Sequence, residues 1–178
     1  MEHSSEKHRR SIRLKNYDYS QSGAYFVTIC TYNKECLFGG IADGKMILSE
    51  LGEIARDEWN RTAHIRDNVE LDEYVVMPNH LHGIIVILRK CRGVSRYAPT
   101  NRFRSPSQTI GSVIRGYKSS VTKRINESRM TPALSVWQRN YWEHVIRNEQ
   151  ELSKAREYIV NNPLKWTLDR ENPANIRK

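Results

Sequence analysis

Blocks of hydrophobic and polar residues along the chain predict seven main elements. Ala24 to Thr31, AYFVTICT, is rich in β-branched and aromatic residues and reads as a first strand. Asp43-Gly44 marks a turn, and Met46 to Leu48 reads as a short extra strand. Ser49 then caps a helix of roughly Glu50 to His64, with Glu53 close to the capping position. Leu51, Ile54, Ala55, Glu58 and Trp59 give it mostly helical spacing. Val69 to Met77 reads as a second main strand, Pro78-Asn79 punctuates it, and His80 to Leu88, HLHGIIVIL, reads as a third. Ser107 to Asn126 carries Ile110, Val113, Ile114, Tyr117, Val121 and Ile125 along one stripe, a second helix. Tyr141 to Arg147 is a fourth strand. Glu149 to about Asn161 is a third helix, which ends there because Pro163 disfavours helical geometry at Asn162.

The order is therefore β-α-β-β-α-β-α. Its first six elements match the ferredoxin-like split βαβ pattern, an α+β fold with an antiparallel sheet and helices on one face. The last helix is an addition to that pattern. The 178 residues suit one compact domain with appended arms. Residues 1–16 read as a basic arm, 17–166 as the domain, and 167–178 as a tail. Residues 89–107 form a basic loop within the domain, and no internal repeat is present. Such a fold hosts many functions and decides none of them.

Charge narrows the partners. Lys and Arg number 29 against 20 Asp and Glu, a net charge of +9, which favours a polyanion such as nucleic acid. The longest apolar run, Gly83 to Leu88, is strand-sized and far short of a membrane span. The opening MEHSSEKHRR has no apolar signal core, so a cytoplasmic protein without a membrane partner is expected. Cys30, Cys36 and Cys91 are odd in number and form no CxxC pair, which indicates neither a disulfide framework nor a cysteine zinc site.

Two constellations carry candidate chemistry. In His80-Leu81-His82 the strand alternation turns both imidazoles to one face and Leu81 to the other. Two imidazoles on one face can clamp a divalent cation, although the same pattern also suits two unrelated polar residues on a solvated face. Tyr158 and Asn162 lie four residues apart on the third helix, about 40° around its axis and one turn along it. A tyrosine oxygen can attack phosphorus, and an amide oxygen one turn on can complete a metal site. Tyr158 also falls at the edge of the stripe of Leu152, Ala155 and Ile159, where many structural tyrosines sit. Tyr117 is the rival nucleophile, but it lies within the apolar stripe of the second helix and its +4 neighbour is Val121, which suits the core.

The run YVVMPNHLHGIIVI (Tyr74 to Ile87) and the downstream run VWQRNYWEHVIRNEQELSKAREYIVNNPLKW (Val136 to Trp166) resemble the REP-associated tyrosine transposases. These belong to the insertion-sequence transposases with an HUH metal site and one catalytic tyrosine. The opening RRSIRLKNYDYSQSGAYFVTICTYN (Arg9 to Asn33) is similar to the same family's N-terminus. The resemblance leaves only the 89–107 loop and the tail outside it. It implies that His80 and His82 are the HUH histidines and that Tyr158 is the nucleophile. Asn162 takes the place of the third metal ligand, which is glutamine in shorter insertion-sequence relatives. One methylene less demands closer approach or an intervening water. Glu143 and His144 match a family run, WEH, and are expected to be structural or to support the metal site from behind.

The resemblance implies a metal-dependent endonuclease and strand transferase acting on single-stranded or hairpin DNA. Mg²⁺ or Mn²⁺ would sit on His80, His82 and Asn162, and Tyr158 would form a 5′-phosphotyrosine link. Metal and basic neighbours are expected to lower the phenol's pKa. Arg115, Lys118, Lys123 and Arg124 on the second helix would follow the phosphates, with Arg89, Lys90, Arg92 and Arg96 of the loop. Tyr97 and Phe103 are candidates for stacking on bases. The protein is expected to be a monomer or a homodimer. The alternatives are a hairpin-DNA-binding protein that has lost cleavage and a metallohydrolase that uses water. An RNA-binding module of the same layout is disfavoured, because the third strand lacks the aromatic run such a module needs.

Overall fold

The computed structural model describes residues 22–88 and 109–175. The basic arm, Arg89, Lys90, Arg92, Arg96, Tyr97 and Phe103 lie outside the described residues. Nine principal elements run in order as β1 (Gly23–Cys30), β2 (Gly39–Ala42), β3 (Lys45–Leu48), α1 (Glu50–His64), β4 (Val69–Met77), β5 (His80–Ile87), α2 (Ile110–Arg129), β6 (Trp142–Ile146) and α3 (Glu149–Asn161). The main sheet has the order β4-β5-β1-β6, and every neighbouring pair is antiparallel. This is the ferredoxin-like order, with β5 lying between β4 and β1.

β2 and β3 form a separate hairpin. Asp43 and Gly44 both have positive φ, 50° and 70°, the conformation whose twist matches a two-residue hairpin. The sequence pattern predicted β3 and the turn but not β2. Four residues beginning with two glycines are too short and too bare to show alternation.

Each face of the sheet has its own helices. Tyr25, Val27 and Ile29 of β1 and Leu81, Ile85 and Ile87 of β5 point into the larger core beneath α1 and α2. Gly83 lies on that face too, and a Cβ there would stand 2.4 Å from Cζ2 of the fully buried Trp59. The glycine lets the indole of α1 pack directly against the strand. Ser49 Oγ caps α1 by accepting from the Gly52 amide, as its position predicted. Buried Glu58 of α1 takes Arg124 of α2 at 2.9 Å, and the Tyr117 hydroxyl donates to the Ala55 carbonyl at 3.1 Å. These bonds lock the two helices together. α2 starts later than its pattern suggests, where Thr109 supplies the cap to the Ser112 amide, and ends later, at Arg129, where Met130 turns left-handed.

The even-numbered residues of β1 and β5 look the other way, toward α3. Phe26, Ile84 and Ile159 are buried there, against Leu152 and Ala155. Asn148 Oδ1 caps α3 at the Glu151 amide, and Arg156 grips Asp72 of β4 with bonds of 2.9 and 2.6 Å. The helix stops at Asn161, and Pro163 opens a 3-10 stretch to Leu168. The chain then turns back over the strand ends. Asn79 Nδ2 donates to the Glu171 carbonyl at 2.7 Å, and Lys34 pairs with the Glu171 carboxylate at 3.1 Å. Residues 167–175, expected as a tail, are thus docked on the sheet. Among the described residues no helix is long and apolar enough to cross a membrane.

Candidate active site

Strand alternation on β5 puts His80 and His82 on the α3 side of the sheet, with Leu81 in the opposite core. Both imidazoles are buried, at 0% and 3% exposure. Their Nε2 atoms lie 3.0 Å apart. Burial lowers both pKa values, His80 to about 4 and His82 well below its ordinary value, with the neighbouring His80 and Arg170 adding to the effect on His82. Both rings are therefore neutral at pH 7, the form that donates a lone pair to a cation.

Hydrogen bonding decides which nitrogen is bare. Asn79 Nδ2 donates to the carbonyls of Lys34 and Glu171, so its Oδ1 must face His80 Nδ1 at 2.8 Å. An amide oxygen only accepts, so His80 carries its proton on Nδ1 and leaves Nε2 free. His82 Nδ1 lies 2.8 Å from the Thr28 hydroxyl. A hydroxyl both donates and accepts, so His82 can adopt the same tautomer. A backing group on the distal nitrogen is the usual support of a metal-binding histidine.

A third oxygen completes the group. Asp169 Oδ2 lies 3.9 Å from His80 Nε2, its side chain 5% exposed, and one donor atom from each of His80, His82 and Asp169 falls within 4.8 Å of the others. The Asp169 carboxylate is aimed by its other oxygen, which accepts from the Glu171 amide at 2.7 Å. Asn162, the expected third ligand, is also buried, and its Oδ1 has no hydrogen-bond partner among the described residues. Its amide instead hydrogen-bonds Tyr158. A buried, unpartnered acceptor and a buried carboxylate beside two neutral imidazoles fit a hard or borderline divalent cation. Sequence reasoning missed Asp169. It lies in a polar stretch beyond the last regular helix, where no periodicity signals a direction, and only the turn-forming Asn172-Pro173 hints that the chain doubles back.

Tyr158 projects from the edge of the α3 stripe, 44% exposed. Its hydroxyl lies 3.4 Å from His82 Nε2, and its ring stands edge-on to Phe26 at 5.8 Å and 68°. One chain therefore brings the tyrosine and both histidines together without exchange of a helix. The phenol's pKa is raised rather than lowered. Burial is the main cause and Asp169 adds to it, while the Asn162 bond and Arg170 pull the other way. The rival Tyr117 is fully enclosed in the opposite core, and burial drives its pKa well upward.

α2 packs on the face opposite the histidines. Lys118 Nζ donates to the carbonyls of Gln138, Arg139 and Asn140, and Arg124 is held by Glu58 and Asp57. Lys123 lies 3.9 Å from Glu127, and Arg115 is exposed on the same helix. Glu143 faces the α1–α2 core, whereas Trp142 and His144 line a cleft of about 470 Å³ with Tyr158 and His82.

No family model matches the chain. Two proteins of Haemophilus influenzae align along most of it. One, an uncharacterised protein, is 44% identical over 167 residues, 91% of this chain and 92% of its own length. The other, named "Putative REP-associated tyrosine transposase", is 23% identical over 155 residues, 85% of this chain and 77% of its own. The chain belongs with the first of these proteins and is similar, at lower identity, to the REP-associated tyrosine transposase. A solved structure of such a transposase, bound to a REP hairpin, has the same fold. Its TM-score is 0.58 at 21% identity, covering 86% of this chain and 73% of the other. The site built from His80, His82 and Tyr158 is thus carried on a fold shared with that transposase.

Proposed function

We propose that the chain is an endonuclease and strand transferase for hairpin-containing single-stranded DNA, with Mg²⁺ or Mn²⁺ as cofactor and Tyr158 as nucleophile. The observation that supports it is the 3.4 Å approach of the Tyr158 hydroxyl to His82 Nε2, beside the paired histidines. His80 and His82 would hold the cation through Nε2, with Asp169 Oδ2 or Asn162 Oδ1 as the oxygen ligand. Bound there, the cation would polarise the scissile phosphate and offset the charge that develops on it.

The chain's own residues account for the remaining steps. Phe26 and Ile159 fix the helix and ring so that Tyr158 Oη faces the site. The Asn162 amide hydrogen-bonds the phenol oxygen and favours its deprotonated form. Because the ring is 44% exposed, its proton passes to solvent. Tyr158 Oη then bonds to phosphorus as the bond to the 3′ oxygen breaks, and that oxygen leaves as a hydroxyl after taking a proton from water. The 5′-phosphate stays on the tyrosine, so a 3′-hydroxyl can reverse the step and rejoin strands. Arg115 and Lys123 face away from this site and are assigned to phosphates distant from the cut.

A second reading, a hairpin-DNA-binding protein without cleavage, is favoured by one observation, the raised pKa of the phenol. Covalent trapping separates the two. Wild type with Mn²⁺ and a hairpin oligonucleotide is expected to give a denaturation-resistant adduct that Tyr158→Phe does not give. If wild type forms none while both proteins bind the hairpin equally, the binding reading stands instead. Cleavage that survives in Tyr158→Phe would point to a water-using hydrolase.

A further inference from the structure

α3 crosses its face of the sheet over β4 and β5, leaving part of the same face of β1 and β6 open. Trp142 lies on this open strip at the edge of the sheet, 40% exposed. Its indole and the His144 imidazole, two residues on, run parallel within 7°, with centroids 6.1 Å apart. Phe26 braces the indole edge-on at 5.7 Å and 73°, and the same Phe26 ring braces Tyr158. One side chain thus fixes both the candidate nucleophile and the exposed aromatic surface. Lys154 and Arg170 line the same cleft. Glu151, the one acid among the described residues lining it, is already engaged by the Arg147 amide at 3.0 Å and by His144 at 3.4 Å. A flat π surface flanked by cations, with its acid occupied, suits an unpaired nucleobase and its phosphate.

We propose that Trp142 is the stacking platform for the unpaired base that adjoins the scissile phosphate. His144, steadied by Glu151, extends the platform, and Lys154 and Arg170 receive that nucleotide's phosphate. The position of the base relative to the cut rests on Tyr158 being the nucleophile. The stacking itself does not.

The test is equilibrium binding by the full chain carrying Tyr158→Phe, in EDTA, so that no cleavage enters the readout. The probe is a hairpin oligonucleotide with a short single-stranded flank, along which one abasic site is walked. Trp142→Ala is expected to weaken binding roughly 5- to 100-fold, the range of one lost base stack. Trp142→Phe should recover most of the loss. Trp142→Leu, which keeps apolar bulk without a π face, should not recover it, and this pair tests the platform even where the alanine variant folds poorly. At one flank position, removing the base should cost the Trp142 protein that same factor and cost the Trp142→Ala protein nothing more. Additive losses at every position, or unchanged affinity in Trp142→Ala and Trp142→Leu, overturn the platform. If the coupling appears but wild type forms no adduct with Mn²⁺, the nucleophile reading fails and the platform stands. If the adduct forms without coupling, the platform alone fails.

Discussion

His80 shows how much one side chain's surroundings determine. Asn79 bonds two backbone carbonyls through its nitrogen, which leaves its oxygen to orient His80. Asn79→Ala should therefore weaken metal binding by about 10- to 100-fold, the usual effect of losing such a backing group, as measured by Mn²⁺ titration. Burial that holds His80 near pKa 4 also sets a pH dependence. The unfolded histidine binds a proton below about pH 6.5, whereas the folded one does not until near 4. Between those values the unfolded state holds more protons, so stability of the metal-free protein falls as pH drops through this window. The loss from His80 alone approaches about 3 kcal/mol at its lower end. Urea midpoints between pH 7 and 4 check this, and a His80→Asn chain should show a shallower slope. Where the histidines and Tyr158 point was legible in the sequence because strand and helix periods fix direction, while their joining into one site was implied by the family resemblance. Asp169 was not, because outside regular structure no period relates position to direction. Asp169→Asn and Asn162→Ala, compared by Mn²⁺ titration, are expected to separate the two candidate oxygen ligands, the true one costing more than tenfold.

At the scale of elements, the HxHG pattern serves both faces of one strand. The histidines build the site on one side, and Gly83 admits Trp59 on the other. Gly83→Ala should cost about 1 to 3 kcal/mol by overpacking, read from urea unfolding. Because the two faces are separate, the refolded variant should keep its metal affinity within about threefold, a difference of well under 1 kcal/mol. Most elements could be read from sequence because their apolar stripes are long, as in α1, α2 and β5. β2 could not, because its pairing partner and turn define it rather than its own four residues. The C-terminal segment was obscured for a related reason. Its folding back depends on Asn79 and Lys34, residues far away in sequence.

At the scale of the whole molecule, the net charge of +9 favours a polyanionic partner, but the cations are not equivalent. Lys118 and Arg124 hold loops and helices together, whereas Lys154 and Arg170 line the cleft beside Tyr158. Raising salt from about 50 to 200 mM should weaken hairpin binding about tenfold or more, as expected when two or three phosphates are neutralised. Lys154→Ala should reduce that dependence, while Lys123→Ala should leave the rate of adduct formation at saturating hairpin unchanged.

The central claim is that Tyr158 itself becomes joined to DNA. Mass spectrometry of proteolysed adduct, formed with Mn²⁺ and a hairpin oligonucleotide, tests it most directly. The expected product is a nucleotide linked through its 5′-phosphate to the peptide containing Tyr158, together with a released strand ending in a 3′-hydroxyl. A link to any other residue, or cleaved ends with no peptide attached, would contradict it.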